Sequence, residues 1–454
     1  MNIKGFEQSL EPFFCARVWW VGYSGGMDSH LLLTLLQQLL RSDFAQSFDR
    51  LPHLKALHIN HQLQPQAAAW ELHCQRVCDD LAVPLLIERV NIPKGGNTEA
   101  LARQARYAVF TQQLCQQDVL FLGHHQDDQL ETFFYRLARG AGVKGLSAMA
   151  WQRDFPCHDK GSAVLVRPLL HFSHAELLEV AQSKQLSWVN DSSNADTVYD
   201  RNYLRHKVLP LFKRRWPALA RSVTRVIKHL QEHQQLLSEL AVEDLARCDV
   251  QAHAFWREHS IALADVFCLS HLRSKNLLRH WLALHELSLN DKQDQMLWQA
   301  LTANKTEQKF LLQIGECSLR IFNRRLYCSQ SPLPVLTTET FRWQANDALP
   351  INDFMQLSLS EAVNVTLTVK FRQGGEQCLL HKQSQHKSLK NILQEASIPP
   401  WHRSVLPLIY HGDILIAIAD LYLLAPARAV LGEDNRIIMT RLSNDHQKLP
   451  DAKL

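Results

Sequence analysis

At 454 residues the chain is too long for one comfortable core and divides most naturally into two or three domains. Its 46% hydrophobic and 21% charged residues suit an ordinary globular protein, and no run of about 18 apolar residues occurs that would span a membrane. The net charge of +4 is too mild to name a partner, because nucleic-acid binders are betrayed by where their basic residues cluster.

The first residues, Met1 to Glu7, carry no apolar core followed by a small-residue cleavage site, so a cytoplasmic chain is expected. Its ten cysteines then read as reduced thiols. There is no Cys-x-x-Cys pair, and Cys74 and Cys78 fit packing on one helix face better than a metal or redox pair. Strands are predicted over 18–23, 54–60, 84–90 and 118–123. They alternate with helices over 31–40, 67–81, 98–117 (Thr98 as N-cap) and 127–139. That alternation implies an α/β fold, a doubly wound, mostly parallel sheet with helices on both faces. Gly140, Gly142 and Gly145 break the pattern, and a looser region leads to Arg167-Pro168-Leu169-Leu170. A helix over 173–184 opens with Ser173 and Glu176 at capping-box spacing. From 217 to 330 the chain is helix-rich, with clear helices at 229–246 and 272–287 and a hairpin around 310–328. Residues 331–350 read as a linker, followed by β-like runs at 365–371 and 406–410 and a helix near 389–396. The expected domains are 1–216, a helix-rich middle 217–334, and a small α+β domain 335–454.

The sharpest motif is Ser24-Gly25-Gly26-Met27-Asp28-Ser29 between a strand and a helix. Glycines let the backbone approach an anion closely, and the amides and dipole of the next helix favour it. Ser24 and Ser29 add hydroxyl donors. The lysine of a Walker A loop is missing. Asp28 repels a phosphate unless a cation lies between, which points to Mg²⁺ or to positioning of the nucleoside. Ser-Gly-Gly alone would be a plain glycine turn; six residues in this setting are more than that.

The second constellation runs from Gly123 through His124, His125, Gln126, Asp127, Asp128, Gln129, Leu130 and Glu131 to Thr132, at the end of a strand entering a helix. That sheet edge is where ligands bind in open α/β folds. Asp128 and Glu131 share a helix face. Such a pair can hold Mg²⁺, receive an ammonium group or take its proton. Acids complementing a helix dipole would explain one or two of the carboxylates, not the flanking histidines. Farther on, residues 201–228 carry nine lysines and arginines and no acid, with Tyr203, Phe212 and Trp216 interleaved. A basic stripe beside a phosphate loop is the footprint of RNA docking; a solvated helix face is the plainer alternative.

Residues 24–29 resemble the PP-loop of the N-type ATP pyrophosphatases, which have an adenine nucleotide alpha hydrolase-like fold and cleave ATP between its α and β phosphates. The string His124-x-x-Asp127-Asp128-x-x-Glu131-Thr132 resembles the motif of the lysidine synthetases within that superfamily. So do His58-Ile59-Asn60-His61, the helix Glu99 to Tyr107 with Arg103 and Arg106, the segment Trp188 to Asn194, and Arg201-Asn202-Tyr203-Leu204-Arg205. Gln62 stands where that family usually has glycine, and Gln64 where arginine is frequent. Lys370 to Gly375, Ser388 to Lys390, Pro399-Pro400-Trp401 and Leu406 to Leu408 resemble the family's small terminal domain, which helps recognise the tRNA acceptor end.

By that resemblance, ATP is bound by Ser24, Gly25, Gly26, Met27, Asp28, Ser29 and His124. Mg²⁺ would lie at Asp28, Asp127 and Asp128. Asp28, Asp128, Glu131, Arg103 and Arg106 are the expected catalytic residues. Arg201, Arg205, Lys213, Arg214, Arg215 and Arg372 would contact the tRNA. The implied reaction joins free L-lysine to C2 of the wobble cytidine of tRNA(Ile) with a CAU anticodon, through an adenylated cytidine, so that the tRNA reads AUA. A homodimer is left open. The nearest rival is a PP-loop tRNA thiolase, which commonly needs a cysteine pair this chain lacks. NAD or GMP synthetase leaves the C-terminal match unexplained. A tRNA binder with a decayed ATP site is opposed by intact Asp28, Asp127, Asp128 and Glu131.

Overall fold

The computed structural model describes residues 2–62, 66–92, 98–159, 161–190, 196–253, 255–303, 310–329, 339–352, 355–379 and 386–442. The segments quoted above at Asp191 to Asn194 and at Gln64, and the side chains of Thr98 and Glu99, lie outside the described residues. The chain falls into two compact units, Met1–Leu236 and Leu237–Leu454, and the division lies inside the helix Leu219–Leu245.

The first unit is built on a six-stranded sheet in the order β3-β2-β1-β4-β6-β5. Its strands are β1 Val18–Gly22, β2 His53–Asn60, β3 Leu85–Arg89, β4 Val119–Phe121, β5 Gln152–Pro156 and β6 Ser162–Val166. All neighbours pair in parallel except β5, which runs antiparallel to β6 at the edge. In β1, Trp19 and Val21 join the core on one face, whereas Val18 and Trp20 join the core on the other. Because side chains alternate across a strand, that split requires helices on both faces, the doubly wound arrangement predicted above. The order reverses between β1 and β4, so the loops after these two strands open beside each other at the switch point.

The opposite end of β1 and β4 is tied by Asp118, only 1% exposed. Its carboxylate accepts from Arg17 Nε (3.2 Å), Trp20 Nε1 (3.2 Å) and the Cys115 amide (3.0 Å). Asp118→Ala strands the indole and the amide without an acceptor and is expected to lower unfolding free energy by about 2–3 kcal/mol. A denaturant titration checks this; a loss below about 0.5 kcal/mol, the range of an unremarkable surface change, would mean the network adds nothing.

Three expectations need correction. The region after Gly145 holds the β5–β6 hairpin, whose outer strand, Gln152-Arg153-Asp154, is exposed and polar and so gives no apolar signal. The helix expected from 229 starts ten residues earlier, at Leu219, because Val223 and Ile227 bury against Leu130 and Leu209. Within 331–350, read as a linker, residues Phe341–Gln344 form a strand that buries Trp343, and another strand starts at Leu349. The capping box at Ser173 and Glu176 is present, with Ser173 Oγ accepting from the Glu176 amide at 3.3 Å.

In the second unit, β7 Val250–His253, β8 Glu258–Ala262, β9 Leu311–Ile314, β10 Cys317–Phe322 and β11 Arg325–Ser329 form an antiparallel sheet in the order β7-β8-β11-β10-β9. The hairpin expected at 310–328 is thus a three-stranded meander within it. Helices His271–Leu284 and Asp291–Thr302 cover this sheet through Leu277, Trp281 and Leu297. Farther along, small antiparallel sheets surround the helix Leu389–Glu395. Buried Glu258 accepts from Ser329 Oγ (2.6 Å) and Trp401 Nε1 (2.8 Å), and His402 Nε2 lies 3.1 Å away. Burial works to raise the Glu258 pKa, but His402, Ser329 and Trp401 outweigh it and hold the carboxyl below its usual range. Among the described residues, no helix is long and apolar enough to cross a membrane.

Candidate active site

The loops after β1 and β4 open into a cavity of about 1630 Å³. That exceeds the roughly 300–1,000 Å³ of ordinary small-molecule pockets, leaving room for a nucleotide and a second reactant. One wall is the Ser24–Ser29 loop. Ser29 Oγ bonds the Gly26 carbonyl (3.0 Å) and Ser24 Oγ (3.0 Å) and accepts from the Ser24 amide (3.2 Å), so the two serines lock the turn. Gly25 has φ +83°, and a Cβ there would come within 3.0 Å of Cys74 Sγ. The helix Met27–Leu40 follows with no side-chain cap, and its first turn lines the cavity. An uncapped first turn is an anion site by its amides and dipole.

The opposite wall follows β4. A Cβ on Gly123 would lie 3.0 Å from the Asp28 carbonyl carbon and 3.1 Å from the Ser29 nitrogen, so only glycine lets the two loops touch. His125 caps the helix Gln126–Ala138: its Nδ1 accepts from the Asp127 amide (3.2 Å), and its own amide donates to Asp128 Oδ2 (3.0 Å). Its Nε2 lies 3.7 Å from Asp28 and 3.6 Å from Asp128, linking the two motifs.

The three acids of this helix all hold partners. Arg205 donates to Glu131 through Nε (2.5 Å) and Nη2 (3.0 Å), and to Asp128 through Nη2 (3.2 Å). Asp127 pairs with Lys213 and accepts from the His174 amide (2.9 Å). Arg205 and Lys213, expected on the RNA backbone, are therefore ion-paired with cavity carboxylates in this structure. Arg201 donates to Thr132 (3.0 Å), while Arg214 and Arg215 are exposed. Arg372, in the second unit, lies 3.9 Å from Glu376.

Titration separates the carboxyls. Burial pushes Asp28 up, with Asp128 adding to it and His125 opposing. Burial also pushes Glu131 up, against the pull of Arg205. For Asp128 burial is outweighed by His125, His124, the His125 amide and Arg205, and its pKa falls below the ordinary value. Burial drives His124 down to about 3, so this ring is neutral at physiological pH and carries no charge for a phosphate. Asp28 Oδ1 is a buried oxygen without a protein partner. Among the described residues no ready-made cluster of three metal ligands exists. A hard cation shared between one or two carboxylates and phosphates needs no such cage, and Asp28 fits that role.

Arg106 lines the cavity, whereas Arg103 stacks on the Tyr107 ring at 4.8 Å. His58 bonds the Tyr23 carbonyl (2.9 Å), and His61 lines the cavity with both ring nitrogens unpartnered. Asn60 donates to Glu71 (2.6 Å), which Arg89 also clamps (2.7 Å). That brace went unread in the sequence, since neither Glu71 nor Arg89 lies in a motif. Gln62 adopts φ +54°, the left-handed conformation that glycine takes without strain, which gives a physical reason for glycine at this place in related chains. The cap role of His125 was legible in principle, because His125-x-x-Asp128 has capping-box spacing.

Comparison with known proteins matches three family models: a PP-loop domain over residues 2–212, a TilS substrate binding domain over 262–327 and a TilS substrate C-terminal domain over 367–436. The chain is 38% identical over 417 residues to the tRNA(Ile)-lysidine synthase of Pseudomonas putida, covering 91% of this chain and 94% of that one. It is 36% identical to the Coxiella burnetii protein of that name, with 88% and 87% covered, and 35% identical to that of Yersinia pseudotuberculosis, with 90% of each covered. Among solved structures, a U34-tRNA thiolase from Methanococcus maripaludis aligns at a TM-score of 0.41 and 16% identity, over 51% of this chain and 79% of that one. Identity above a third, sustained over about nine-tenths of both partners, places this chain in the tRNA(Ile)-lysidine synthase family.

Proposed function

We propose that the protein uses ATP to join free L-lysine to C2 of the wobble cytidine of tRNA(Ile) with a CAU anticodon, in the cytoplasm. The observation that carries this reading is the meeting of two motifs in one cavity: a phosphate-binding turn and, across His125, a carboxylate pair already holding one cation, Arg205. A lysine ammonium carries the same charge as that guanidinium.

The uncapped helix start and the two serines hold the phosphates, and Arg106 on the wall balances charge as it grows. The cytidine O2 attacks the α-phosphorus and pyrophosphate leaves. Mg²⁺, held by Asp28 and the phosphates, would supply charge neutralisation when bound. Glu131, whose pKa is raised, is the better acceptor for the ammonium proton; Asp128, whose pKa is lowered, stays ionised and orients the amine. The freed amine attacks C2, and AMP departs carrying the former O2. The basic face of residues 201–228 docks the tRNA backbone, with Arg372 assisting from the C-terminal region.

The test is incorporation of labelled lysine into an unmodified tRNA(Ile) transcript with a CAU anticodon. Incorporation that requires ATP and Mg²⁺ and releases one AMP and one pyrophosphate per lysine is expected. Pyrophosphate release without lysine transfer would redirect the assignment to another PP-loop ligase, and tRNA binding without either would leave only a binding protein.

A further inference from the structure

We propose that Trp216 is a stacking platform for the adenine on the 3′ side of the wobble cytidine, holding that base while the cytidine turns into the cavity. The inference rests on the function proposed above and names one contact of its substrate.

Trp216 ends the helix Leu209–Arg215 and is 56% exposed, an unusual place for so large a ring. Its backbone is fixed: its amide donates to the Phe212 carbonyl (2.7 Å), and its carbonyl accepts from the Leu219 amide (2.9 Å). Its ring is steadied edge-on by Phe212 at 5.9 Å, and Phe212 rests on Phe134 at 5.6 Å. One side of the indole is thus buttressed by aromatic packing while much of it stays open. Lys213 and Pro217, on either side of it in sequence, both line the cavity that holds Asp128 and Glu131. Trp216 is not itself on that lining, but the chain on both sides of it is, so the indole sits next to the cavity.

Its electrostatic setting selects the occupant. Lys213 is paired with Asp127, but Arg214, Arg215, Arg221 and Arg225 also surround it in sequence, and no acidic residue occurs between Arg201 and Lys228. A held aromatic ring in an acid-free basic stretch is the combination that binds single-stranded nucleic acid, the cations following the backbone and the ring taking a base. An apolar protein partner would be better met by an uncharged surround. The chemistry supplies the reason for a base here. To bring C2 to the carboxylates, the cytidine must leave its stack, which uncovers one face of its neighbour. An exposed indole next to the cavity can replace the lost stacking partner.

The experiment uses a tRNA transcript with 2-aminopurine in place of that adenine, titrated with wild type, Trp216→Phe and Trp216→Ala, alongside KM values in lysine incorporation. Stacking on the indole should quench the probe in the wild-type complex, less so with phenylalanine, and alanine should restore emission. The KM for tRNA should rise about 10- to 100-fold in Trp216→Ala, while that for ATP stays put. Equal quenching by wild type and Trp216→Ala overturns the proposal, even if KM for tRNA rises, since Trp216 would then meet the tRNA elsewhere. Wild type that is folded yet transfers no lysine removes the proposed function, and this inference with it; transfer with unchanged quenching removes the stacking contact alone.

Discussion

Asp128→Asn is expected to slow lysine transfer about 100- to 1,000-fold while the protein melts within a few degrees of wild type. The two effects separate because Asp128 does two jobs. One is structural: its Oδ2 accepts the His125 amide and closes the capping box. The asparagine carbonyl oxygen can take over that bond, so the cap survives. The other is electrostatic. Asp128 is held ionised by His125, the His125 amide and Arg205 against the cost of burial, and a neutral amide removes that charge from beside Glu131. Without it the arriving ammonium loses an attractive partner, and Arg205 loses one of the two carboxylates it bridges. Single-turnover lysine incorporation together with a thermal melt measures both. Near-wild-type transfer would reduce Asp128 to a helix cap and pass the chemistry to Glu131.

The second large effect is expected at Gly123. A side chain there meets the Asp28 carbonyl carbon and oxygen and the Ser29 nitrogen at 3.0–3.1 Å, and all three are backbone. No rotamer change can clear them. Gly123→Val must therefore shift either β4's exit or the phosphate loop, at an overpacking cost of about 1–3 kcal/mol. Taken from the loop's geometry, that is about 10- to 100-fold in the KM for ATP. Gly142→Ala is the matched control, since a Cβ there meets nothing within 4 Å. ATP-dependent pyrophosphate release at varied ATP gives the comparison; equal KM values for both variants would show that the two loops tolerate separation.

The parallel half of the fold was legible because its strands are short apolar runs and its helices keep their periodicity. The helix Ala67–Leu81 matched its prediction residue for residue, and the four parallel strands predicted in this half differed by a residue or two at their ends. The polar edge strand Gln152–Pro156 was not, since an exposed strand need not be apolar on either face. Within the site, the two loops could be found from spacing, because each motif is local. The ion pairs could not. Arg205 lies 74 residues from Glu131 and Lys213 lies 86 from Asp127, and a basic stretch read along the chain looks like a solvent-facing surface. Only the fold, which lays residues 201–215 across the mouth of the sheet, turns some of those cations inward.

Glu258 has a consequence for how the latter part of the chain can be taken apart. Its carboxylate is set by a strand of the middle sheet, but two of its three partners, Trp401 and His402, arrive from more than 140 residues downstream, and the Trp256 ring lies flat on His402 at 4.1 Å. Ser329 alone would leave a buried anion with a single hydroxyl donor. A shortened chain ending before residue 400 would have to hydrate or protonate that carboxylate, and so open the sheet around it. The segment that carries Trp401 and His402 is therefore a keystone for the sheet before it, and removing it should unsettle that sheet as well.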